Sequence, residues 1–134
     1  MAGSARPGSR RTASERLARV ARRVAAWEGA AETRVDLTLL DAAAMRRLNR
    51  RATGRRGLTD VIAFALPQPD GTLLGDVYIC PQGARPAADE LVRLVVHGTL
   101  HVLGYDHPDG PGRTRCVMWR RQERYVRRLR RSPR

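Results

Sequence analysis

The chain has 134 residues, room for one domain with one hydrophobic core, and a formal net charge of +13 in which all 26 basic side chains are arginine. No run of about eighteen apolar residues is present to cross a bilayer, and the opening MAGSARPGSRRTASERL lacks the apolar centre of a secretory leader. Cys80 and Cys116 make neither a disulfide framework nor a Cys-x-x-Cys knuckle, so free thiols in a reducing, cytoplasmic compartment are expected.

Residues 1–11, rich in Gly, Ser, Pro and Arg, are expected to form a disordered basic tail. A single domain over 12–131 and a short tail at 132–134 follow. Thr12 with Glu15 three residues on makes a capping box for a first helix, whose Leu17, Val20, Ala21 and Val24 recur at helical spacing. Residues 34–40 alternate like a half-buried strand, with Val35, Leu37 and Leu39 on one side. Asp41 is placed to cap the next helix, with Leu40 stapled onto Met45 across the cap. After a basic loop at 54–57, the apolar run 61–66 predicts a strand buried on both faces. Residues 67–71 turn, with Asp70-Gly71 at the tip, and 73–80 return antiparallel.

A helix is expected to start between Ala87 and Asp89, with Pro86 at its entrance, and to run to about Leu103. Its Leu91, Leu94, Val95 and Leu100 would lie on the sheet. Residues 108–112 read as a loop, and a last helix takes Val117, Met118, Tyr125, Val126 and Leu129 as packing positions, with Trp119 in the core or at its rim. Together these elements predict a small α+β domain, a mixed sheet covered by helices.

Charge is segregated along the chain. Residues 1–56 hold 14 arginines and 5 acids, residues 57–109 hold 2 and 7, and residues 110–134 hold 10 and 1, giving +9, −5 and +9. Basic flanks around an acidic middle suit a polyanion gripped through its phosphates.

All three histidines fall in that acidic middle, within HGTLHVLGYDH. His97 and His101, four apart, share one face of a helix. Gly104 can end that helix in the left-handed conformation and turn the chain so that His107 joins them. Three protein ligands with a fourth position open is the layout of a catalytic zinc site. In zinc peptidases of the H-E-x-x-H pattern a glutamate follows the first histidine as general base; here that residue is Gly98, which favours phosphodiester over amide hydrolysis.

HGTLHVLGYDH resembles the signature of the YbeY family, bacterial rRNA maturation factors described as zinc-dependent single-strand endoribonucleases. LNRRATGRRGLTDVIAFALP is similar to the family's Leu-Asn, short basic stretch, Thr-Asp-Val and apolar strand, and LLGDVYICP resembles the element that follows. The resemblance runs in order over residues 35–107, and a final helix from near Met118 is compatible with it. It implies one Zn2+ per chain, single-stranded RNA or rRNA as substrate, and the ribosome or a small-subunit precursor as partner, with neither DNA nor membrane involved. It also implies an extra N-terminal strand that this sequence does not display. The family's usual aromatic residue and arginine are replaced by Ala52 and Thr53, and its usual serine after the Thr-Asp-Val-Leu run by Ala63.

The expected site therefore has His97, His101 and His107 on the metal, Asp106 as proton acceptor, and Arg50, Arg51 or Arg55 neutralising charge on phosphorus, with Arg56 a further source. Asp60 and Asp76 are weighed beside Asp106 and read as turn or capping residues. Two other classes are left open: an RNA-binding assembly factor with little nuclease activity, and a zinc hydrolase of another substrate such as peptide.

Overall fold

In the computed structural model, which describes residues 7–81 and 88–131, Arg34–Leu39 (β1), Val61–Pro67 (β2) and Leu73–Ile79 (β3) make one mixed sheet in the order β1-β3-β2. β3 runs parallel to β1, with Leu37 beside Val77, and antiparallel to β2, with Ala63 beside Val77. The β2–β3 turn is closed by Asp70, whose Oδ1 accepts from both the backbone N and the hydroxyl of Thr72. Four helices accompany the sheet: Pro7–Trp27 (α1), Ala42–Thr53 (α2), Ala88–Val102 (α3) and Val117–Arg131 (α4). This is the α+β architecture expected.

Alternation along β3 assigns the two faces. Val77 and Ile79 point into a core shared with Ala21 of α1 and Leu94, Val95 and Val102 of α3. On the other face Ile62, Phe64 and Tyr78 meet Met45 of α2, and Leu40 joins them as the staple across the Asp41 cap requires. A third cluster joins α1, α3 and α4 through Val24, Val96, Leu100, Met118, Tyr125 and Val126. Thus α3 packs on α1, α4, β2 and β3 at once.

Four expectations change. α1 begins at Pro7, so residues 7–11 are helical rather than part of a loose tail, and Thr12 lies inside the helix rather than capping it. Proline suits a first helical turn because its missing N–H would have no partner there, and the arginines that follow are good helix formers. Residues 1–6 and 132–134, and Pro86 and Ala87, lie outside the described residues. β2 is buried only at Ile62, and its residues 65–67 are exposed, because the strand is an edge and runs past the helices that cover its first half. Val117 is 51% exposed and Leu39 46%, each at the end of its element and beyond the cover of the neighbouring one.

Two glycines set how closely α3 sits. A Cβ on Gly98 of α3 would stand 2.6 Å from Val77 Cγ1, and a Cβ on Gly75 of β3 would stand 2.5 Å from Val102 Cγ1. Strand and helix therefore each offer a valine to the other's glycine, and both valines are buried and β-branched, with little freedom to yield. Alanine in place of a helical glycine ordinarily gains about 1 kcal/mol, whereas overpacking a tight core costs about 1–3 kcal/mol. Gly98→Ala is accordingly expected to lower the urea midpoint rather than raise it, and adding Val77→Ala to recover part of the loss. A Gly98→Ala protein as stable as wild type would show that the notch is slack.

Candidate metal centre

α3 and the turn after it bring the three imidazoles together. His97 and His101 are one turn apart on α3, and α3 ends in a Schellman motif, with Tyr105 N–H donating to Leu100 O and Gly104 N–H to His101 O, both at 3.0 Å. Gly104 takes φ +104°, a left-handed conformation that a side chain would resist, and Tyr105 packs back on Leu100. The chain reverses there and returns His107. Ring centroids are then 4.7 Å apart for His97 and His101, 5.1 Å for His97 and His107, and 5.0 Å for His101 and His107. One ring nitrogen from each residue lies within 4.8 Å of the others.

The opposite edge of each ring identifies which nitrogen that is. His101 Nδ1 donates to the carbonyl of Tyr105 at 3.0 Å and His107 Nδ1 to that of Pro108 at 3.1 Å. His97 Nδ1 lies 2.7 Å from Gln122 Oε1. A carbonyl only accepts, so each Nδ1 carries a proton, and in the neutral ring the lone pair is then on Nε2. Neutral imidazoles with their outer nitrogens so engaged are the donor set a transition-metal ion takes. The three histidines can hold one metal ion.

Electrostatics favour the neutral form of His97 and His101. Burial pushes His97 down to about 4, working against the hydrogen bond to Gln122, and the charges of His101, His107 and Arg113 add to the fall. His101 is lowered by the same burial and by His107.

A cleft of about 550 Å³ opens beside the rings. Its walls include Val61, Ile62 and Ala63 of β2, Asn49 and Thr53 of α2, and the charged Arg55, Asp60, Asp106, Asp109 and Arg113. Among the expected arginines only Arg55 lines it; Arg50, Arg51 and Arg56 are exposed outside it. Arg113 comes from a 3-10 helix, Pro111–Arg115, that follows the third histidine. Asp76 lies on the sheet away from the cleft, next to Asp36 and Phe64. Asp106 Oδ1 already accepts the His107 N–H at 3.0 Å, whereas burial raises the Asp60 carboxyl above its ordinary range, against its backbone hydrogen bonds and the Arg113 charge.

Thr53 faces this cleft as a loop organiser. Its hydroxyl donates to Asn49, 2.7 Å from the backbone O and 3.0 Å from Oδ1, and accepts from the Arg55 N–H at 3.1 Å. Asn49, itself buried, ties the far side of the loop through Nδ2 to Gly57 O at 3.2 Å.

A family model described as endoribonuclease YbeY matches residues 6–130. The chain belongs to that family. Similar relatives under the same description include one from Moorella thermoacetica, 43% identical over an alignment of 116 residues, with 72% of this chain and 74% of that protein covered. Another, from Desulfitobacterium hafniense, is 42% identical over 113 residues, covering 71% and 70%. A relative from Mycolicibacterium gilvum is 39% identical over an alignment of 94 residues, with 56% of this chain and 53% of that protein covered, so the chain spans about half the length of that protein. Among solved structures, the solution structure of TM1509 from Thermotoga maritima matches with a TM-score of 0.59 at 26% identity, over 98% of this chain and 91% of that one.

The spacing of the histidines marks them in the sequence, whereas three polar residues around this site, Gln122, Glu28 and Arg113, carry no such mark. Gln122 is buried between Met118 and Tyr125 on the packing stripe of α4, and a glutamine in that stripe is its one visible mark. Glu28 directly follows α1, where its Oε1 accepts from Tyr105 OH at 2.7 Å and its Oε2 from Arg121 at 3.0 Å and from Tyr125 OH. Arg113 has no periodic signature at all.

Unfolded histidine takes up a proton near 6.5 and folded His97 only near 4. Between those values the unfolded chain binds more protons, so stability falls as pH falls. Metal-free protein is expected to lose on the order of 3 kcal/mol from this group between about pH 7 and pH 4. Urea titrations of wild type and His97→Leu should diverge in slope over that window, and parallel profiles would contradict the assignment.

Proposed function

We propose that the chain is a zinc-dependent single-strand endoribonuclease that acts in rRNA maturation and ribosome quality control by metal-assisted phosphodiester hydrolysis. The observation that carries this reading is the convergence of three imidazoles, each with Nδ1 engaged by a carbonyl oxygen, on a cleft that also holds Arg55 and Arg113. Zinc bound there supplies Lewis acidity toward a phosphoryl oxygen and toward water.

The remaining work falls to the chain's own side chains. Arg55 and Arg113 sit where guanidinium groups can accept the charge that builds on phosphate oxygens during displacement. Asp60, whose raised carboxyl holds a proton more readily than an ordinary aspartate, is suited to take the proton of the attacking water or 2′-hydroxyl. Asp106 is the second carboxylate of the cleft, with one oxygen engaged by the backbone. The substrate is single-stranded RNA, the partner the ribosome or a small-subunit precursor, and the compartment the cytoplasm. Both cysteines are free thiols, and no helix among the described residues is long and apolar enough to cross a membrane.

Peptide hydrolysis is disfavoured at Gly98, whose α-carbon is pressed against Val77 on the sheet side of α3. An assembly factor that binds RNA with little cleavage is the second reading. It is favoured by Thr53, which spends its hydroxyl on Asn49 and brings no cation to the place where the resemblance expects arginine.

The test uses purified protein loaded with one equivalent of zinc on single-stranded RNA, double-stranded RNA and an unstructured peptide. Metal-dependent cutting of the single strand is expected, lost in His97→Ala and His101→Ala. Arg55→Ala and Arg113→Ala should each lower kcat by on the order of 10²-fold. Salt-sensitive binding without cutting would replace the nuclease by the assembly factor, and cleaved peptide would overturn both. In the same preparations, RNA affinity should fall with rising salt at a log–log slope of about 0.7 for each phosphate contact. A salt-independent affinity would refute the electrostatic grip.

A further inference from the structure

Met118, Gln122, Tyr125 and Val126 face the core from α4, and Gln122, 2% exposed, is the polar member of that stripe. A buried amide without partners is destabilising. Both ends of this one are engaged: Oε1 lies 2.7 Å from His97 Nδ1, and Nε2 donates to Glu123 Oε2 at 2.9 Å.

An amide could present either end to the ring. Here the choice is made by Glu123, because a carboxylate accepts and never donates, so it must receive the NH2 end. Glu123 is held in turn by Arg93 of α3, whose Nε donates at 2.9 Å and Nη2 at 3.1 Å in a two-pronged pair, while Nη1 donates to Glu90 at 2.6 Å. The carbonyl end of Gln122 is thereby left to His97. A ring facing a carbonyl oxygen must put its proton on Nδ1, and its Nε2 lone pair then points toward His101 and His107.

We propose that Gln122 is a positioning residue of the metal centre: it fixes the tautomer and angle of His97, and the Arg93–Glu123 ion pair fixes which end of Gln122 does so. This rests on the reading that the three imidazoles hold a metal ion. His101 and His107 receive the same service from the backbone carbonyls of Tyr105 and Pro108, which no substitution removes. Gln122 is the one of the three acceptors that a mutation can change, and so the point at which this chain's affinity for its metal is adjustable.

The first measurement is made on metal-free wild-type protein, by nitrogen-15 NMR of the imidazoles. The His97 proton is expected on Nδ1; a proton on Nε2 overturns the proposal. Next, Gln122→Met keeps the length of the side chain and removes the acceptor. Its zinc dissociation constant, from competition with a chromophoric chelator, should rise about 10–100-fold, with the thermal midpoint and circular dichroism checked alongside. The paired exchange Gln122→Glu with Glu123→Gln swaps carboxylate and amide, keeps the net charge and returns an acceptor to His97, so it should restore the affinity. A folded Gln122→Met protein that binds zinc within about twofold of wild type, or an exchange variant as weak as Gln122→Met, overturns the role. Wild type that binds no zinc would instead sink the proposed function, while the tautomer measurement would still decide the part played by Gln122.

Discussion

The reciprocal seating of α3 on β3 is the constraint on which the rest of the molecule depends. Val77 of the strand enters the notch at Gly98, and Val102 of the helix enters the notch at Gly75. Two contacts of this kind along one helix fix its height, its rotation and its shift along the strand together. With the Gly98 face pinned to the sheet, the His97 and His101 positions are turned toward the mouth between α3 and β2, where Val61 and Ala63 form the facing wall. Gly98 thus has a packing reason of its own. A glutamate there would point into Val77 rather than into the cleft, so its absence follows from how the helix is seated.

Once α3 is seated, α4 decides how the donor atoms are aimed. Arg121, Gln122 and Glu123 are consecutive, hence about 100° apart around the helix, and each reaches a different anchor. Arg121 pairs with Glu28 just after α1, Gln122 reaches His97, and Glu123 grips Arg93. Through Glu28 the first of these also touches Tyr105, whose carbonyl orients His101. Burial works against ionisation of Glu28, but hydrogen bonds from Tyr125 and Tyr105 and the Arg121 charge outweigh it and hold its carboxyl below the ordinary range. Such a network is stable only when complete, because removal of one partner leaves the next one buried and unpaired. Two of the three histidines therefore owe their orientation to one face-turning triplet on a helix that carries no ligand.

What the sequence made legible is what repeats or punctuates. Helical spacing placed His97 and His101 together, a glycine at position 104 announced the break, and Asp41 announced a cap that its Oδ1 fulfils toward Ala44 N at 2.8 Å. Burial was less readable, since an apolar run such as 61–66 says that a strand wants cover and not whether the sheet supplies it. At the edge of three strands it supplies half. Helix starts suffer from competing signals, and at the first helix the proline at position 7 prevailed over the capping box at Thr12. Partnerships across the fold, such as Glu28 with Tyr105 and Arg121 or Gln122 with His97, join positions 25 to 93 residues apart and have no periodicity to reveal them.

Folding also changes what the segregated charge means. The acidic middle of the chain contributes the histidines, Asp60 and Asp106 to the cleft, while its described arginine, Arg93, is bound to Glu90 and Glu123 on the far side of α3. A cation for the cleft has to come from elsewhere. One basic flank supplies Arg55, on the loop that Asn49 and Thr53 brace, and the other supplies Arg113, six residues after the third histidine. Neither makes a salt bridge among the described residues, in contrast to Arg121, which is tied to Glu28. An untied guanidinium is available to whatever charge enters beside it, whereas a paired one is largely cancelled. The quantity that matters for a phosphate at this site is then the two uncommitted arginines that the fold draws in from opposite ends of the chain, and the net charge of +13 describes only the approach.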